Sequence, residues 1–250
     1  MELRDYQSDI FNQVIASKEN VLVQLDTGAG KTPIEAALAN YYEQVLVVAH
    51  RNTLIKQISC KLAAFKIEHS MIASKNIIAQ CGHFNSKNYG EEYISENNNR
   101  IVISIDTLIS RSKRNEISLD TSKEWVIIID EAHHIVDNNK WGKLRSIFNK
   151  SIIVGFTATP ARTDGSSLHV STGGIFDKLI QADRLKKDAV KKLINEGFLA
   201  NFKVFSPQNF LEQDKYNLNL NCSPFSAYSK FCEGKRTLVM CQRITHAEHF

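Results

Sequence analysis

Two short strings in this chain hold residue types suited to phosphate chemistry. The first is Asp26-Thr27-Gly28-Ala29-Gly30-Lys31-Thr32. Gly28 and Gly30 can adopt positive φ and let phosphates approach the backbone, so the N–H groups of the Thr27-Gly28-Ala29-Gly30 stretch can point inward as a cradle. Lys31 can reach β and γ phosphates as a point charge, and the Thr32 hydroxyl can ligate magnesium. A helix opening near Gly30 adds its positive end. Pro33, in its first turn, gives up an N–H that has no partner there. The second string is Asp130-Glu131-Ala132-His133. Asp130 can hold a magnesium ion through water, which places Glu131 to orient or deprotonate an attacking water. Together the two strings specify a nucleotide triphosphatase site with magnesium. One departure stands: the general phosphate-loop pattern has a glycine six residues before its lysine, and here that position is Leu25.

Such groups act together only if the chain carries them to one place. Apolar, β-branched runs at Val21–Leu25, Val45–Ala49, Ile101–Ser104, Trp125–Ile129 and Ile152–Phe156 read as strands covered on both faces, as in a parallel sheet. Between them lie helical patterns. Ile34, Leu38 and Tyr41 share a face of Lys31–Gln44, and Leu54, Ile58, Leu62 and Phe65 share a face of Asn52–Lys66. The alternation predicts an α/β domain with a doubly wound, mostly parallel sheet and helices on both faces. Both chemical strings follow strands, so both are expected at the carboxyl edge of that sheet, where ligands collect.

Composition narrows the class. Hydrophobic residues make up 43% and charged residues 23%, as in ordinary globular proteins. No apolar run approaches the roughly 18 residues of a membrane span, and the N-terminus has no signal-peptide core. A cytoplasmic protein with no membrane partner is expected. Five cysteines without a Cys-x-x-Cys pair read as reduced thiols. His133, His134 and Asp137 invite a zinc reading, but adjacent histidines point in different directions on a helix and no fourth ligand is evident. The net charge of +4 permits a polyanionic partner without singling one out.

Asn85–Arg100 and Arg162–Gly174 read as surface loops. Asp183–Glu196 reads as one charged helix, with Leu185, Ala189 and Leu193 spaced by four and Gly197 as its stop. Past Phe205 the pattern loosens. Residues 1–205 are expected to form the first domain and 206–234 a linker or irregular connector. Residues 235–250 would open a second domain with a strand at Arg236–Cys241 and a helix from Ile244.

Asp130-Glu131-Ala132-His133, taken with Gly155-Phe156-Thr157-Ala158-Thr159-Pro160-Ala161-Arg162, resembles the DEAH-type superfamily 2 helicases. The branch it resembles holds phage recombination helicases, bacterial repair helicases and restriction-enzyme motor subunits. The resemblance runs the length of the chain and implies a RecA-like P-loop domain, the N-terminal motor domain of an ATP-dependent helicase or translocase. It implies that Gln7, with Arg4 nearby, reads the adenine edge, although Leu3-Arg4-Asp5-Tyr6-Gln7 also suits a helix start capped by Asp5. It implies that His50 and Arg51, in Val47–Leu54, contact a nucleic-acid backbone, as a helix N-terminus with an arginine can. Thr107, in Ser104–Leu108, takes a second such place, beside the plain reading of a helix cap by Asp106 or Thr107. Thr157, Thr159 and His133 would couple the nucleotide site to a second domain. DNA is the implied partner, with RNA not ruled out by composition. The family completes its site with arginines of a second RecA-like domain, worth about 10³- to 10⁵-fold in rate, and no segment here resembles the motif that carries them. The expectation is a chain that binds Mg–ATP, hydrolyses it weakly and does not unwind duplexes alone. It would be a fragment, or a split-gene product whose partner is a separate second motor-domain polypeptide. An ATP-responsive nucleic-acid-binding module is the alternative.

Overall fold

The computed structural model describes residues 2–49, 52–114, 116, 119–135, 140–161, 165, 167–202, 212–213, 219–220, 224–240 and 245. The chain divides into two compact units, Met1–Ala200 and Asn201–Phe250.

The first unit alternates helix and strand. Its elements are α1 (Asp5–Ile15), β1 (Val21–Gln24), α2 (Lys31–Tyr41), β2 (Val45–Ala49), α3 (Asn52–Ala64), β3 (Ser70–Ile72), α4 (Lys75–Tyr89), β4 (Arg100–Ser104), α5 (Ile105–Lys113), β5 (Val126–Ile129), α6 (Lys140–Ile147), β6 (Ile152–Thr157), β7 (Lys178–Gln181) and α7 (Ala189–Asn195). The seven strands form one sheet in the order β3-β4-β2-β5-β6-β1-β7. Every pairing in it is parallel.

Successive strand residues point to opposite faces, and here both faces are buried. Val21, Val23, Val45, Val47 and Ile128 enter one core with Ile10 of α1, Leu38 of α2 and Ile58 of α3. Leu22, Leu46, Val48, Ile127 and Ile129 enter the other with Leu108 of α5 and Leu144 of α6. Each such side chain contributes about 1.5–3 kcal/mol on burial, so the central strands have no face to turn to water. That is why they read as continuous apolar runs. Because all seven run the same way, every carboxyl end lies on one edge.

Several expectations are corrected. The edge strands β3 and β7 are short and partly polar, so they lack an apolar run. Helix α4 continues through Asn85 into the stretch expected to be loop. Ser74 accepts from the N–H of Ile77 at its start, and Gly90 ends it at φ 87°. The predicted helix over 183–196 is interrupted. Asp183–Leu185 forms a single 3-10 turn, and α7 starts only after Asp188, which stands at φ 54°. The four-residue spacing was right for Ala189 and Leu193, both buried, but Leu185 lies on the other side of the break.

The second unit contains the two-residue strands β8 (Glu212–Gln213) and β9 (Asn219–Leu220), paired antiparallel, and α8 (Pro224–Phe231). The expected strand from Arg236 is absent through Met240. Leu238 and Met240 are 83% and 89% exposed. An apolar run becomes a strand only by pairing its backbone groups, and none of the described residues of this unit pairs with it. Cys241 and, apart from Thr245, the helix expected from Ile244 lie outside the described residues. No described helix is long and apolar enough to cross a membrane.

Candidate active site

The loop after β1 is built by constraint from outside. Leu25 donates its N–H to the Thr157 carbonyl at 2.9 Å, which ties the end of β1 to the end of β6. Ala29 then turns back to donate to the Asp26 carbonyl at 3.0 Å. Gly28 and Gly30 stand at φ 85° and 82°, the left-handed region that glycine enters without cost. Neither has space for a side chain: a Cβ on Gly30 would strike Nε2 of Gln7, and one on Gly28 would strike the Leu199 side chain. Ala29 is fully buried while Thr27 and Gly28 are exposed.

Helix α1 pins this loop. Tyr6 donates its hydroxyl to the Ala29 carbonyl at 2.7 Å. Gln7 donates Nε2 to the carbonyls of Ala29 and Gly30 at 3.2 and 3.1 Å. The Oε1 of Gln7 accepts the Arg4 N–H at 3.0 Å, so Gln7, rather than the expected Asp5, caps the helix start. Both hydrogens of its amide are thus committed to protein carbonyls, Oε1 keeps a second lone pair, and the residue is 2% exposed. Arg4 donates to the Tyr6 hydroxyl at 2.9 Å and lays its guanidinium 3.6 Å from the centroid of the Phe198 ring. With the carbonyls held outward, the loop's N–H groups and the first turn of α2 are left to face a ligand. Lys31 and Thr32 open that turn, and neither side chain bonds to a described residue.

The turn after β5 supplies the carboxylates. Asp130 Oδ1 accepts the Glu131 N–H at 2.9 Å, and Oδ2 lies 3.5 Å from Nζ of Lys61 on α3. Glu131 sits at φ 55°, ψ 50°. For a residue with a Cβ this is a strained position, costing on the order of 1–2 kcal/mol. Its Oε2 is 3.3 Å from Nδ1 of His133, and the same nitrogen is 3.2 Å from Oγ1 of Thr157. Thr157 commits its own proton to the Thr159 carbonyl at 2.8 Å while accepting the Thr159 N–H at 3.1 Å. Both neighbours of His133 Nδ1 are therefore acceptors, and Nδ1 must carry the hydrogen. Glu131, His133, Thr157 and Thr159 form one chain of contacts across the ends of β5 and β6.

The two turns meet at Glu35, a residue the sequence reading passed over. It lies on α2, one turn beyond Lys31, and is 8% exposed. Burial raises its carboxyl to about 8, the Asp130 and Glu131 carboxylates push the same way, and Lys61 and Lys31 oppose. One carboxyl thus senses both the lysine of the first string and the carboxylates of the second. Strands β1 and β5 are separated by β6 alone, a span of about 10 Å at ~4.8 Å per strand.

The nucleic-acid candidates are placed less completely. His50 and Arg51 lie outside the described residues, as do Asp137 and Arg162. Thr107 sits in the first turn of α5 at the end of β4. Its N–H donates to Oγ of Ser104 at 3.1 Å, and the two hydroxyls are 2.8 Å apart, so Ser104 is the helix cap rather than Asp106 or Thr107. Tyr6, Glu35, Lys61 and Phe198 were all missed. For Glu35 a signal existed: it is the one charged residue in the run Ile34–Ala39, all of it buried.

Comparison with known proteins agrees with this architecture. The chain is 27% identical to Protein Dicer of Schizosaccharomyces pombe over 265 residues, covering 98% of this chain but 18% of that protein. The crystal structure of the Hef helicase domain from Pyrococcus furiosus superposes with a TM-score of 0.52 at 20% identity, covering 76% of this chain and 39% of that one. T4 UvsW superposes at 0.53 and 16% identity, covering 78% and 42%. The chain therefore spans less than half the length of each. The seven-stranded unit has the RecA-like fold of these solved structures. The family model described as type III restriction enzyme, res subunit, matches residues 1–162, which take in both the glycine loop and the Asp130-Glu131 turn; this chain belongs to that family.

Proposed function

We propose that this chain is the first motor domain of an ATP-dependent DNA helicase or translocase of the DEAH type. The observation that carries the reading is that Lys31 and the Asp130–Glu131 pair follow the carboxyl ends of β1 and β5, strands that β6 alone separates, with buried Glu35 near enough to feel the charges of all three. The Thr27–Gly30 backbone and Lys31 would hold the phosphates, with Arg4 and Gln7 at the base end. Thr32 and Asp130 fit magnesium: a hydroxyl with no partner among the described residues and a carboxylate form the all-oxygen donor set that a hard cation prefers. When bound, Mg2+ would neutralise charge on the phosphate oxygens. Glu131 would orient and deprotonate the attacking water. His133, Thr157 and Thr159 would relay the state of Glu131 along β6, and His50, Arg51 and Thr107 would hold a strand by its backbone.

DNA is proposed from the resemblance to recombination and repair helicases, which also suggests such a cellular role. A relative named Dicer makes RNA the competing substrate. The test is ATP turnover with single- and double-stranded DNA and RNA, for wild type, Lys31→Ala and Glu131→Gln. Loss of a phosphate-stabilising donor lowers turnover about 10²- to 10³-fold, and loss of the general base lowers it by about 10²- to 10⁴-fold. Glu131→Gln should still bind ATP, whereas Lys31→Ala should bind it poorly. If all three share one background rate with every nucleic acid, the motor reading fails and an ATP-responsive binding module remains.

A further inference from the structure

Glu35 has no place in the chemistry described above, and its surroundings are unusual. Its Oε1 is buried without a hydrogen-bond partner among the described residues. Such an oxygen bears the cost of lost hydration with nothing in exchange, a cost that grows when the group is charged. Every neighbour on its stretch of α2 is apolar: Ile34, Ala36, Ala37, Leu38 and Ala39. A leucine or alanine would satisfy packing there. The charges near enough to act on the carboxyl are those of Asp130, Lys61, Lys31 and Glu131, of which Lys31, Asp130 and Glu131 follow the carboxyl ends of β1 and β5. Glu35 also lies three residues after Thr32, on the same side of the helix. Lys61 does not satisfy it, because its ammonium lies with Asp130.

We infer that Glu35 is a further carboxylate of the divalent-cation site, accepting a hydrogen bond from water on the ion that Thr32 and Asp130 hold. The inference rests on the reading of this edge as an Mg–ATP site. Magnesium gives up its waters reluctantly and keeps several when bound by one or two protein oxygens. Those waters bring donors to the pocket where the described residues supply none to Oε1. Without the ion, Lys61 is the only cation paired with Asp130 among the described residues. With it, Glu35 and Asp130 share a positive charge between them. Glu35 is then a positioning residue for the ion, and touches no reacting atom.

Manganese tests this directly, because free aqueous Mn2+ is counted by electron paramagnetic resonance. The 250-residue chain is saturated with ADP and titrated with Mn2+, as wild type, Glu35→Gln and Glu35→Leu. Partners that support a metal from outside its inner ligands are worth about 10- to 100-fold in affinity. Glu35→Leu should weaken Mn2+ binding by about that factor, and Glu35→Gln, which keeps an acceptor but not the charge, by less. Affinity for ADP in excess chelator should match wild type in both. Glu35→Gln keeps the shape of the side chain and removes a buried acid, so it folds even if the leucine variant does not. Equal Mn2+ affinity in wild type and the folded variants overturns the proposal. So does a parallel loss of metal-free ADP binding, which marks a role in packing alone. A wild-type protein that takes up no ADP, with or without Mn2+, overturns the nucleotide site itself along with the proposal.

Discussion

The turns after β1 and β5 use the same backbone conformation for opposite ends. In the first, Gly28 and Gly30 hold the left-handed conformation, and the missing side chains let Gln7 and Leu199 press against the backbone. In the second, Glu131 holds it at φ 55° despite its Cβ. Where backbone must meet a ligand, the chain uses the residue that makes the turn without strain. Where a carboxylate must be presented, it accepts strain to keep the side chain. Stability is relinquished at the second turn and not at the first, which accords with the proposed role of Glu131.

Three changes separate these roles, and the largest effect lies between the turns. Glu35 titrates near 4.5 when unfolded and at about 8 when folded. Below the lower value both states hold the proton. As pH rises from 4.5 toward 8 the unfolded chain releases it first, so stability falls across that window and the full penalty stands above 8. At about 1.4 kcal/mol per pH unit the total is on the order of 5 kcal/mol. Glu35→Gln has no such proton to lose. Thermal melts without metal or nucleotide should show the variant gaining on wild type from pH 5 to 8.5 and then running level. A constant offset across that range would show that the two turns do not bury a shared acid.

Gly30→Ala should come next. The left-handed backbone costs an alanine about 1–2 kcal/mol, and the displaced Gln7 amide forfeits two hydrogen bonds at about 1 kcal/mol each. Denaturant melts should record a loss of about 2–4 kcal/mol. A loss under 1 kcal/mol would mean that the glycine loop is not pinned by α1. The smallest effect tests the opposite sign. Glu131→Gly relieves about 1–2 kcal/mol of backbone strain and gives back about 0.5–1 kcal/mol in chain entropy. Stability should hold or rise by up to about 1 kcal/mol while ATP turnover is lost. A protein destabilised like Gly30→Ala would erase the contrast between the two turns.

Much of this molecule is legible along the chain. Val45–Ala49 coincides with β2 residue for residue, because a strand buried on both faces cannot be other than apolar. The glycine loop and the Asp130–Glu131 turn were locatable because each follows such a strand. The edge strands β3 and β7 were not, since an edge needs one apolar face at most. Arg236–Met240 misled in the other direction: it is apolar enough for a strand but has no described partner.

What the sequence determined by itself is therefore local: which residues open a helix after a strand, which glycines free the backbone, and which carboxylates follow the fifth strand. Tertiary structure alone decided that Gln7 spends its amide on the loop, that Lys61 of α3 reaches Asp130, and that Glu35 lies buried between two charged turns. The reason is physical. Periodicity reports how one element meets its immediate surroundings, whereas the charge and hydrogen-bond state of a side chain depends on groups brought near it by the fold, here from residues 22 (Gln7 to Ala29) and 69 (Lys61 to Asp130) positions away.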